Sequence, residues 1–533
     1  MQDFNVLFVF EEKTSNFKTQ INLKNKHSMK KQSKTILYVA TLSLLATACT
    51  TSGENDYQSG MEIFSGDYDS TGPDGGTGME RGDQFGEFAD NPFVDASLQP
   101  VSTFSVDADG ASYAIVRRYL TNGYKVNPSS VRIEEFLNYF TFNYAEPTDG
   151  QTLAINAEVG VCPWNAGHHL LRLGIKGKEL TADEMPLANY VFLVDVSGSM
   201  NSKDKLELLK SGLKEMVYHL NPDDRIGLIT YSGEVKKLLE STPVKEAATI
   251  VNAIDQLKAS GYTNGGEALK MAYEEAIVNY DPKRNNRIIL GTDGDFNFGV
   301  TGTEQLTEMV EGYAKKGIYL TCLGFGLGNL NDQMMESISN HGNGTYHYID
   351  SEEEMMKVFV HERERFVSVA NDVKCQVTFN ADVVSQYRLI GYENRVMAQE
   401  DFADDAKDAG EIGAGQTITA LYEVDMKDLT KISQVFDMDF ATFDLRYKQS
   451  LDAESIPLQL TLKASEFFKN CIPSDDFYFA AGVATFGLVL RQSPYKGEAT
   501  IDLARELLTL EHEEDPYNNR KTLTELIDLY KAE

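Results

Sequence analysis

Three oxygen-bearing side chains recur at alternate positions in the stretch Tyr190-Val-Phe-Leu-Val-Asp-Val-Ser-Gly-Ser-Met200: Asp195, Ser197 and Ser199. One carboxylate and two hydroxyls are hard donors, suited to a small divalent cation that keeps part of its water shell. The apolar run 191–194 just before them reads as a buried parallel strand. Ligands of open α/β sheets gather beyond the carboxyl ends of such strands. The same residues could equally cap the start of a helix. Two later stretches bear on that choice. Thr263 lies in Gly261-Tyr-Thr-Asn-Gly-Gly266, directly before a helical pattern through Ala268, Leu269, Ala272 and Tyr273. Arg287-Ile-Ile-Leu-Gly-Thr-Asp-Gly-Asp295 repeats the opening pattern, an apolar strand ending in an acid, Asp293. Three loops at one edge of one sheet would then bring Asp195, Ser197, Ser199, Thr263 and Asp293 together.

The order Asp-x-Ser-x-Ser, then Thr, then Asp resembles a von Willebrand factor type A domain with a complete metal-ion-dependent adhesion site. The resemblance implies Mg²⁺, with Mn²⁺ or Ca²⁺ as substitutes, bound directly by Ser197, Ser199 and Thr263. Asp195 and Asp293 would be reached through water. It also implies an open coordination position that a Glu or Asp of a partner protein completes. A binding module, not an enzyme, is the leading expectation. A metal-dependent hydrolase would need a base beside an activated water, or a second metal. Asp295 alone stands near enough, and the 8 His are scattered with no Ser-His-Asp order, Cys–His pair or His-Glu-x-x-His stretch. A third possibility is an envelope scaffold whose metal only braces the loops.

The elements that must position these residues alternate over 187–366. Strands are expected at 190–195, 226–231, 287–291, 318–325 and 345–349. Helices are expected at 203–220, 245–258, 265–279, 303–316, 331–340 and 352–360, as in a doubly wound α/β (Rossmann-like) sheet. The Gly-rich run at 324–328 lacks a Lys-Ser/Thr and reads as a strand-end loop. Before this segment, 111–120 and 133–140 have helical spacing, and 153–161 and 169–175 alternate like strands. After it come strands at 373–379, 387–392, 417–424, 441–448 and 457–462, an apolar helix at 475–490, and amphipathic helices near 499–510 and 520–531. Sheets with open edges need partners. The strands of the N-terminal flank (100–186) and of the C-terminal region (367–533) are therefore expected to build one mainly antiparallel β-sandwich, with the α/β domain inserted and helices at the C-terminus. Asp107-x-Asp109-Gly110 suggests a Ca²⁺ loop but lacks the remaining spaced acids and the distal Glu. Helix capping is the expectation there. A Cys162–Cys375 bridge would tie the two halves of the sandwich, but spacing cannot establish how Cys162, Cys375 and Cys471 pair.

The flanks carry a second resemblance. Phe104-Ser-Val-Asp-x-Asp-x-Ala-Ser-Tyr113, Val131-Arg-Ile-Glu-Glu135, Tyr387-Arg-Leu-Ile-Gly-Tyr-Glu-Asn-Arg395 and Asp408-Ala-Gly-Glu-Ile-Gly-Ala-Gly415 are similar to the flanking regions of bacterial YfbK-like proteins. That resemblance covers roughly residues 100–500 and brings no biochemical role. Near the start, Met29-Lys-Lys-Gln-Ser-Lys leads into an apolar run and Leu45-Ala-Thr-Ala-Cys49, a secretory signal over 29–48 that resembles a lipobox. It implies cleavage before Cys49 and lipidation of its thiol. Residues 1–28 lack signal character and read as an upstream extension, and 49–99 read as a flexible linker. The expected place is the bacterial cell envelope, lipid-anchored to a membrane and facing the periplasm or the surface. A net charge of −32 argues against nucleic acid as a partner.

Overall fold

The computed structural model describes residues 82–261, 266–294, 303–428, 437–465, 472–509, 515 and 517–530. Strand signals on both sides of residue 187 resolve into two antiparallel sheets. One has the order β1 (Val94–Asp95), β12 (Val384–Ile390), β14 (Thr417–Met426), β4 (His169–Gly177) and β3 (Leu153–Val161). The other runs β13 (Gly410–Gly413), β11 (Ser368–Phe379), β15 (Asp439–Lys448) and β16 (Ile456–Lys463), with β2 (Val101–Ser105) also paired to β11. Strands from before and after the α/β segment are thus neighbours: Leu171 of β4 lies opposite Tyr422 of β14, and Phe104 of β2 opposite Cys375 of β11. Period-2 alternation turns Leu171, Leu173 and Ile175 inward to meet Val377, Phe443 and Leu445 of the second sheet in one core.

The helix Asp475–Leu490 is apolar on all sides because both of its sides are covered. Gly160 of β3 leaves room for Phe477, and Gly482 and Gly487 let Leu508 and Ile133 pack against the helix backbone. Among the described residues no helix is long and apolar enough to cross a membrane.

Between β4 and β11 the chain builds the third sheet, in the order β10 (Tyr346–Ile349), β9 (Ile318–Phe325), β8 (Asn285–Thr292), β5 (Ala188–Asp195), β6 (Arg225–Tyr231) and β7 (Val235–Pro243). All pairs are parallel except β6–β7. Val191 and Leu193 enter one helix-covered core, Phe192 and Val194 the other, which is why β5 reads as an unbroken apolar run. β5 is central, with β6 on one side and β8 on the other. The chain order reverses there, so the crevice beyond Asp195 is the topological switch point of the sheet.

Four features differ from the expectations or add to them. The linker does not extend to 99: Asp83 accepts from the Tyr119 hydroxyl, Asp90 pairs with Arg491, and Val94 joins β12. Linkers and capping segments share an Asp- and Gly-rich composition, so composition could not mark the boundary. The edge strand β7 has no clean alternation because it is half-exposed, and its Lys236 and Lys237 suit an open edge. The N-terminal flank is divided: its strands join the sandwich, but Ala111, Ala114 and Ile115 of the helix Ala111–Thr121 pack into the α/β core beside Leu193. Cys162 and Cys375 are both buried and free, so the pairing that spacing left open is not made between them. Cys49, Cys471, the signal segment 29–48 and residues 1–28 lie outside the described residues.

Candidate functional site

β5 delivers Asp195 to the switch point with no exposure to solvent. Its Oδ1 accepts the Ser197 N–H at 2.8 Å, and its Oδ2 accepts the Thr292 hydroxyl at 3.0 Å. Ser197 and Ser199 bring their hydroxyls within 2.9 Å of each other. Asp293 follows β8 and is equally sealed. Burial raises the Asp195 carboxyl to about 6, the Ser197 N–H opposes the shift, and the charge on Asp293 adds to it. Two acids and two hydroxyls therefore share one small region beyond two adjacent strands.

The loop before the helix Gly266–Val278 reaches the same region at Gly261, whose carbonyl accepts the Gly198 N–H at 3.0 Å. Thr263, two residues on, lies outside the described residues, as does Asp295. Of the five expected site residues the structure brings Asp195, Ser197, Ser199 and Asp293 together.

Three neighbours were not expected. Thr292 holds Asp195. Tyr231 ends β6 beside Asp195, and its carbonyl accepts the Val196 N–H at 2.9 Å. Lys205 reaches back from the turn after Ser199 to place its ammonium 2.9 Å from Asp293 Oδ2. Gly326 makes room for that reach. At φ +71 it sits in the left-handed region, and a Cβ there would collide with the Lys205 Cε. Lys205 follows the motif by an irregular turn, so no spacing rule pointed to it.

Hydroxyls in contact, flanked by two buried carboxylates, form a hard-oxygen donor set that fits a small divalent cation. Both Asp195 oxygens hold hydrogen bonds that fix the carboxylate beside the two hydroxyls. The Gly-rich loop at 324–328 has no comparable capacity for phosphate, because Asp83 Oδ1 takes the N–H groups of Gly328 and Leu330 at 2.7 and 3.0 Å.

A central parallel sheet with this donor set beyond β5 and β8 defines a von Willebrand factor type A domain, and the profile of that domain matches residues 189–361. Two further profiles frame it: "von Willebrand factor" over 79–172 and "Uncharacterized protein YfbK, C-terminal" over 364–532. The chain belongs to the YfbK family: it is 36% identical over 472 residues to uncharacterized protein YfbK of Escherichia coli K12, covering 84% of this chain and 80% of that one. More distant is inter-alpha-trypsin inhibitor heavy chain H3 of Pongo abelii, 29% identical over 288 residues, half of this chain and 32% of the relative. A solved von Willebrand factor type A protein from Catenulispora acidiphila aligns over 68% of this chain and 87% of its own, with 15% identity and a TM-score of 0.41.

Proposed function

We propose that this protein is a cell-envelope lipoprotein, anchored through Cys49, that captures a protein partner through Mg²⁺ at Asp195, Ser197, Ser199, Thr263 and Asp293. The observation that carries the proposal is the pair of hydroxyls on Ser197 and Ser199, in contact at a switch point between two fully buried acids. A cation held mainly by neutral hydroxyls keeps its electrophilic character, and a carboxylate of the partner would complete its shell. The chain's own residues set the terms. Thr292 and the Ser197 N–H fix Asp195, and Lys205 neutralises Asp293 until a cation replaces it. The family membership supports the domain, and the signal-like segment ahead of Cys49 supports the anchor.

Mg²⁺-dependent capture of a protein from envelope extract, abolished by chelator and by Asp293→Ala, is the expected result. Capture that survives Asp293→Ala undiminished would remove the metal from the mechanism. Metal that raises the unfolding midpoint without altering capture would instead favour a scaffold braced by its ion.

A further inference from the structure

A second group of acids lies where the sandwich meets the α/β unit, built from segments far apart in the chain. Asp107 precedes the helix Ala111–Thr121, Glu135 lies in the helix Ile133–Asn138, and Glu336 in the helix Asp332–His341. One carboxylate oxygen from each lies within 4.8 Å of the other two, and the residues are 1%, 0% and 5% exposed. This corrects the capping role expected of Asp107-x-Asp109. Asp109 Oδ1 accepts the Tyr346 N–H of β10 at 2.8 Å, and Asp107 accepts Arg395 at 3.0 Å. The helix N-cap, Gly110, has no side chain to accept a helix amide, so Glu135 Oε2 takes the Ser112 N–H at 2.8 Å while Asp107 Oδ1 accepts only the Asp109 N–H ahead of the helix at 2.9 Å.

An independent observation points to a missing partner. Asp109 is 2% exposed, faces the charges of Asp107 and Glu135, and has an Oδ2 with no hydrogen-bond partner. Glu134, 1% exposed and also facing Asp107, has neither oxygen satisfied. The cations in reach are already engaged. Arg132 serves Glu135, both oxygens of Asp332, and Glu336, and Arg395 serves Asp107 and Asn340. Arg491, on the far side of Glu134, is taken by Asp90 and Glu393. Asp107, Asp109, Glu135, Asp332 and Glu336 thus face the two guanidiniums of Arg132 and Arg395. Buried carboxylates in such excess must take up protons or a cation, because an unpaired buried charge is too costly to persist.

We infer that this junction is a second, calcium-class metal site, with Asp107, Glu135 and Glu336 as its ligands and the buried Asp109 carboxylate charge beside them. The donors are all carboxylate oxygens, each with lone pairs to spare beyond its present hydrogen bond. The site is sealed from solvent, so protein oxygens rather than a retained water shell would surround the ion, which favours Ca²⁺ over Mg²⁺. The local Asp-x-Asp-Gly lacks the distal Glu of a calcium loop, and the fold supplies Glu135 and Glu336 from two other helices. An ion there would rivet the N-terminal flank to the α/β unit.

The test uses the full chain carrying Ser197→Ala and Ser199→Ala, so that the strand-edge site does not contribute. Equilibrium dialysis against radiolabelled Ca²⁺ should find one bound ion per chain, with at least tenfold weaker binding after a further Asp109→Asn. Thermal unfolding keeps the outcome decisive if binding is too tight to titrate. Chelator should lower the midpoint of the Ser197→Ala/Ser199→Ala chain by several degrees and leave the Asp109→Asn chain unmoved. No bound calcium, or calcium and a chelator effect that persist undiminished in Asp109→Asn, would overturn the site in favour of shared protons. Neither result depends on partner capture.

Discussion

The strand edge and the junction use the same chemistry, carboxylates out of contact with water, and solve its cost in opposite ways. At the edge two acids are balanced locally: Asp195 by an N–H and a hydroxyl, Asp293 by the Lys205 ammonium on its flexible stem. At the junction the acids are locked by the planar guanidinium of Arg132, which binds Asp332 through two nitrogens at 2.6 and 3.0 Å. A point charge on Lys205 can be displaced by a metal ion, but a forked guanidinium with four partner oxygens cannot leave without stranding them. On the proposed function the edge exchanges its counter-ion, and the junction keeps its guanidinium.

The largest difference should appear on removing one charge from each region. Arg132→Met should cost on the order of 3–5 kcal/mol in urea unfolding, since it leaves buried charges unpaired. Asp195→Asn, which removes a charge and keeps an acceptor, should move stability by less than about 1 kcal/mol. Equal losses would erase the distinction.

The α/β side of the junction should also respond to acid. His347 follows Tyr346 on β10, and burial, aided by the Lys357 ammonium, pulls its imidazole down to about 4. The unfolded chain takes that proton first as pH falls, near 6.5. His347 therefore contributes stability that is fully present above pH 6.5 and is lost between 6.5 and 4, about 3 kcal/mol in all. Urea unfolding across that window should show the loss, and His347→Gln should flatten it. An unchanged slope in that variant would clear His347 of the effect.

At the edge, Lys205→Met should raise Mg²⁺ affinity about tenfold in calorimetric titration, because it removes a competing cation. Weaker binding would mean that Lys205 positions Asp293 for the metal instead. The smallest effect should come from reductant. With Cys162, Cys322 and Cys375 free, it should leave the unfolding midpoint in place, whereas a marked drop would reveal a cross-link.

The two regions also differ in how far the amino-acid sequence discloses them. The edge was legible because one strand and one turn hold Asp195, Ser197 and Ser199 within five consecutive residues, and β8 repeats the pattern at Asp293. The sandwich was legible because period-2 alternation survives in strands with one wet face. β7 was missed because a half-exposed edge strand carries little alternation, and Lys205 because its role depends on the space left by Gly326. The junction was read as helix capping. Its acids come from three segments, and only the tertiary fold sets Glu336 beside Asp107.

The most direct measurement is a calorimetric Mg²⁺ titration of the full chain beside its Ser197→Ala/Ser199→Ala variant. One Mg²⁺ should bind to the unaltered chain and none, or one at least a hundredfold more weakly, to the variant. Identical isotherms would contradict this and leave the strand edge without its metal.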